Sequence, residues 1–238
     1  MAGERDESRR GFLRRAGDVA VLLSVAPHLS AREGKPEPEA GKQEEEVSPA
    51  EDLMREHGVL DRVLLIYEEG IRRLEGRNDI DPAVLTAAAG IVRRFIEDYH
   101  ERLEENELFP RFEKAHTLVD LVGTLRTQHQ AGRRLTERIQ HLATPATLKA
   151  AAARGQLTEG LRQFIRMYRP HAAREDTVLF PALHRIVSGH EYDALGEQFE
   201  EQEHRLFGED GFEKVVDEVA RLERQLGIDD LAQFTPGG

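Results

Sequence analysis

The 238-residue chain contains no cysteine. That excludes disulfides, iron–sulfur clusters and thiolate zinc sites. Tryptophan is absent too, and aromatic residues make up only 6%. No apolar run reaches the length of a transmembrane helix. Positive charge is the minority sign: 33 Lys and Arg against 45 Asp and Glu leave a net charge of −12, which argues against non-specific nucleic-acid binding. No stretch has the alternation of a strand, and no nucleophilic triad, phosphate loop or nucleotide fingerprint is visible. Apolar residues (39%) are enough for a core, charged residues (33%) cover the surface, and the abundance of Ala, Leu, Glu and Arg favours helix. The length fits one domain with added segments, or two small domains.

The two ends of the chain differ from its middle. Arg9 and Arg10, followed by Phe12, Leu13 and Arg14 and then a weakly apolar stretch to Ala31, resemble a twin-arginine export signal over residues 1–31. Asp18 within the apolar stretch departs from that pattern. Export to the periplasm or beyond is therefore expected, with the cytoplasm as the alternative. Residues 32–47 are rich in Glu, Lys, Pro and Gly, bury too little apolar surface to order themselves, and read as a charged linker.

From Ser48 the pattern turns helical. Ser48-Pro49-Ala50-Glu51 is a helix start, and Leu53, His57, Leu60, Leu64 and Tyr67 follow on one face until about Gly76. A second helix starts at Asp81-Pro82 and runs to about His116, with a kink or break expected at Pro110. A third, about 118–142, carries Leu118, Val122, Leu125, His129, Gly132, Thr136 and Ile139 on one face. The fourth is expected after Gly155, with Leu161, Phe164, Tyr168, His171, Glu175 and Val178 in line. Four amphipathic helices with short connections make an antiparallel four-helix bundle over 48–189, an all-α fold. A C-terminal extension, 190–238, should add helices at about 191–206 and 212–226.

The chemistry lies in a repeat. His100 is followed by Glu104 and then Leu108-Phe109-Pro110; His171 is followed by Glu175 and then Leu179-Phe180-Pro181. Each copy has a histidine on the preceding helix: His57 lies 43 residues before His100, and His129 lies 42 before His171. Residues i and i+4 share a helical face, so a His and a Glu so spaced can reach one metal centre. His57, His129 and His171 stand where a bundle wants leucine, and burying the six polar groups of the repeat unpaired would cost roughly 2–7 kcal/mol each in apolar surroundings. A metal that takes them all removes the conflict. A single His-x-x-x-Glu is commonplace on helix surfaces; the duplication is what singles this one out. Imidazole with carboxylate and no thiolate suits iron, manganese or zinc.

The arrangement resembles the hemerythrin-like, or HHE cation-binding, family over roughly residues 49–188. That resemblance implies a four-helix bundle with two non-haem iron ions, bridged by carboxylates and capped by histidines. Matched position by position, the ligands would be His57, His100, Glu104, His129, His171 and Glu175. Oxygen-carrying members have a further histidine one turn after the third-helix histidine; here that position is Arg133. Their last carboxylate falls where Asp176 stands, so Asp176 is an alternative to Glu175. The resemblance therefore implies a protein that binds or senses a small ligand such as oxygen or nitric oxide, or handles iron. A di-iron enzyme acting on peroxide and a zinc-clipped structural bundle are the alternatives. His204 could be a further ligand but reads first as a surface residue. Asp61 and Glu107 could hydrogen-bond to ligands, Tyr168 could line the site, and Arg133-Arg134 reads as a solvated face. Gly132, in mid-helix beside His129, could leave room for a small ligand or merely allow close helix packing.

Overall fold

The computed structural model describes residues 47–76 and 79–236. The twin-arginine segment and the linker up to residue 46 lie outside the described residues. Among the described residues there is no strand. Helix α1 is Pro49–Gly76, opened by the Ser48 hydroxyl accepting the Glu51 amide at 3.2 Å. Helix α2 covers residues 82–114 and begins at Asp81, whose carboxylate accepts the Ala83 amide at 2.9 Å. Helix α3 is Val119–Leu142. A one-turn helix, Pro145–Lys149, capped by Thr144, precedes α4, which covers residues 151–183. The four pack as a ring, α1 beside α2, α2 beside α3, α3 beside α4 and α4 beside α1. Leu53, Leu60, Leu64 and Tyr67 of α1 meet Leu161 and Phe164 of α4 in one apolar core.

Helix α4 begins at Ala151, so Gly155 lies inside it rather than before it. Three alanines that favour helix, Ala151 to Ala153, outweigh the roughly 1 kcal/mol that a mid-helix glycine costs. Pro110 neither breaks nor ends α2, which continues to Lys114. The turn before it, Glu104–Leu108, is π-helical, with the Phe109 amide donating to the Glu104 carbonyl. This wider turn relieves the clash between a proline ring and the carbonyl four residues back. The same turn occurs at Glu175–Leu179, where the Phe180 amide donates to the Glu175 carbonyl ahead of Pro181. Its extra residue rotates the helix, so Leu179 is buried where unbroken α-helical spacing points to Val178.

Helices α5 (Gly189–Phe207) and α6 (Gly211–Leu226) pack against α1 and α2. Phe207 meets Phe95 and Tyr99 at ring separations of 5.6 and 5.5 Å, and the Arg62 guanidinium donates to Glu223 at 2.9 Å. No helix among the described residues is long and apolar enough to cross a membrane.

Candidate metal centre

Each bundle helix brings one histidine to the same level of the interior, and α2 and α4 each add a glutamate one turn later. His57, His100, Glu104, His129, His171 and Glu175 are all buried. Their inward atoms converge. Nε2 of His57 and of His171 lie 3.4 and 3.0 Å from Glu175 Oε2, while Nε2 of His129 and of His100 lie 3.3 and 3.8 Å from Glu104 Oε2. His129 Nε2 is also 3.9 Å from Glu175 Oε1, so the two carboxylates lie between the histidines. The imidazoles pair as His57 with His100, at 4.6 Å between ring centres, and His129 with His171, at 5.0 Å.

The outer nitrogens are as ordered as the inner ones. His57 Nδ1 donates to Asp176 at 2.7 Å and His100 Nδ1 to Glu56 at 2.6 Å. His129 Nδ1 donates to Glu105 at 3.1 Å and His171 Nδ1 to Gln128 at 2.9 Å. A carboxylate or amide oxygen can only accept, so these bonds put a proton on each Nδ1 and turn each Nε2 inward. These partners form a repeat of their own. Glu56 and Gln128 each precede the first histidine of their copy; Glu105 and Asp176 each follow its glutamate. Asp176 thus holds the outer side of His57, while Glu175 points to the centre. Asp61 and Glu107, the acidic neighbours that spacing alone suggested, make none of these bonds: Asp61 is exposed on α1 and Glu107 pairs with Arg111. The sequence signal for the actual partners is the residue adjoining each ligand, which the i, i+4 pattern passes over.

The aromatic tail of each repeat closes the site sideways. Phe180 stacks on His57 at 5.5 Å and Phe109 on His129 at 5.5 Å. Tyr168 is buried, edge-on to His171, and its hydroxyl donates to Glu101 at 2.7 Å. It also takes the space beside Gly132: a Cβ there would sit 1.9 Å from the Tyr168 oxygen. The glycine admits a tyrosine, and the gap is not left for a small ligand. Arg133 is no solvated arginine; its guanidinium is 2.9 Å from both Glu101 and Glu105. His204 is exposed on α5, away from the cluster.

Electrostatically the centre is unsettled as bare protein. Burial pushes Glu104 well above the usual carboxylate range, with the neighbouring Glu175 adding to the rise. At Glu175 the same burial is outweighed by His171 and His57, which hold it low. Burial pulls His57 down, but its bond to Asp176 and the adjacent Glu175 carboxylate outweigh this and hold it at about 9. Burial depresses His100 and His129. Among the described residues, no hydrogen bond reaches Nε2 of His100, Nε2 of His129 or either oxygen of Glu104 and Glu175. Orphaned buried acceptors gathered at one point are costly alone, and cations satisfy them together. The donor set fits a metal: His129, His171 and Glu175 each offer an atom within 4.8 Å of the others.

The hemerythrin HHE cation binding domain matches residues 48–183, with an overlapping second match over 120–229. The chain belongs to the hemerythrin HHE cation-binding family. Cation binding is the property of that domain, and the buried His and Glu groups are where this chain can hold a metal. The second match takes in α3 to α6, and Glu203-His204 on α5 echoes Glu56-His57 and Gln128-His129 without bringing a ligand to the centre. Uncharacterized proteins of Mycobacterium bovis and of two Mycobacterium tuberculosis strains are each 52% identical over 236 residues, covering 96% of this chain and 91% of the relative. No solved structure matches the chain.

Proposed function

We propose that this hemerythrin-family protein holds two non-haem iron ions and uses them to bind or sense a small ligand such as oxygen or nitric oxide. The observation that carries this reading is the convergence of four imidazoles on two buried carboxylates: both oxygens of Glu104 and Glu175 and Nε2 of His100 and His129 lack a hydrogen-bond partner, while every Nδ1 is tied off behind. His57 and His100 would hold one ion and His129 and His171 the other, with Glu104 and Glu175 lying between the two pairs as shared carboxylates. An iron pair supplies redox chemistry and coordination positions that a small molecule can take. Four imidazoles and two bridging carboxylates offer at most about eight donor atoms, against roughly twelve for two six-coordinate ions. Arg133 deepens that deficit: at the position where oxygen carriers have a further histidine, it binds Glu101 and Glu105 instead. Phe109 and Phe180 keep bulk water off the histidines from the sides.

The test is spectroscopic. Azide, nitric oxide or peroxide should each change the visible spectrum of the iron-loaded protein at modest concentration. An unchanged spectrum with all three would mean a closed structural centre. Steady consumption of hydrogen peroxide by the same preparation would instead favour a peroxide-handling enzyme.

A further inference from the structure

The two halves of the centre are related by a duplication, and their supporting residues are not equivalent. His57 and His100 donate through Nδ1 to two carboxylates, Asp176 and Glu56. In the other half the counterpart of Glu56 is Gln128, a neutral amide, behind His171. The counterpart of Asp176 is Glu105, which His129 shares with the Arg133 guanidinium at 2.9 Å. An imidazole that donates to a carboxylate is a more basic ligand than one that donates to an amide. A guanidinium on the supporting carboxylate draws that charge away from the imidazole and adds a positive charge near the ion. Every one of these differences favours a cation in the His57/His100 half.

Resting on the di-metal reading above, we infer that the two metal positions are unequal. The His57/His100 position fills first and holds its ion tightly, and the His129/His171 position fills second and exchanges. Gln128 is the residue that sets the difference, acting through His171 as a positioning residue.

Ferrous iron titrated calorimetrically, without oxygen, into metal-free full-length protein tests this. Wild type should show two binding steps of unequal affinity. Gln128→Glu should tighten the weaker step by about 10–100-fold and leave the tighter one in place, since outer partners of metal-bound histidines carry effects of that size. Glu56→Gln should loosen the tighter step by a similar factor. Circular dichroism checks that each variant is folded, and Gln128→Glu alone suffices if Glu56→Gln is not. Two ions bound with equal affinity would overturn the inequality, and a weaker step that Gln128→Glu leaves unmoved would overturn the role of Gln128, either result leaving the di-metal reading intact. Failure of the wild-type protein to bind a pair of ions would overturn both.

Discussion

At the scale of single residues, the site is decided by what stands next to the ligands. Gly132 shows this most sharply, because its missing Cβ is where the Tyr168 hydroxyl lies. Gly132→Ala should force the phenol off Glu101 and cost about 1–3 kcal/mol, the range for overpacking a full core. Denaturant unfolding measures it, and Tyr168→Phe in the same chain should recover part of the loss, a coupling expected of touching residues. His57 gives a pH signature. Its imidazole is held at about 9, against 6.5 ordinarily, largely by Asp176 once burial is overcome. In metal-free protein that raised value contributes stability in full below about 6.5, and the contribution is lost as pH rises through about 9. Thermal unfolding across that window should show the loss, and Asp176→Asn should flatten it. Metal affinity should run the other way and strengthen with rising pH, because a cation competes with the proton.

At the scale of helices, the candidate ligands were legible because they repeat, and the geometry between them was not. The 3.6-residue period places Leu53, His57, Leu60, Leu64 and Tyr67 on one face, and all five are buried. Nothing in that period announces a π turn, so the shift from Val178 to Leu179 is invisible to it. Proline is only a partial clue: Pro110 and Pro181 each follow a π turn, but Val92–His100 is π-helical with no proline, and Pro170 sits inside the α-helical part of α4. Likewise Glu56, Gln128, Glu105 and Asp176 read as ordinary helix-surface residues until four helices assemble and each meets a histidine from another one. The π turn also aims the following phenylalanine at a neighbouring helix: Phe109 of α2 lies on His129 of α3. Phe109→Ala should cost about 3–5 kcal/mol, the usual loss for a buried phenylalanine, read from the unfolding midpoint. A cost under 1 kcal/mol would mean that this ring is not part of the packed wall.

At the scale of the whole molecule, the C-terminal helices are part of the centre's surroundings. Glu203 of α5 offers an oxygen within 4.8 Å of Asp52 and Glu56, so the extension backs the residue that holds His100. The other end carries Arg9 and Arg10, and we propose that the pattern around them is a twin-arginine signal that exports the folded protein. Arg9→Lys with Arg10→Lys should trap the protein in the cytoplasm with its metal content unchanged. Cell fractionation checks this, and a wild-type protein found wholly in the cytoplasm with an intact N-terminus would refute export.

The most direct measurement is the metal content of the purified protein, by elemental analysis and visible absorption together. Two irons per chain with the visible bands of a ferric pair are expected, and Glu104→Ala with Glu175→Ala should remove both ions. Stoichiometric zinc in a colourless protein with no affinity for ferrous iron would contradict the di-iron centre.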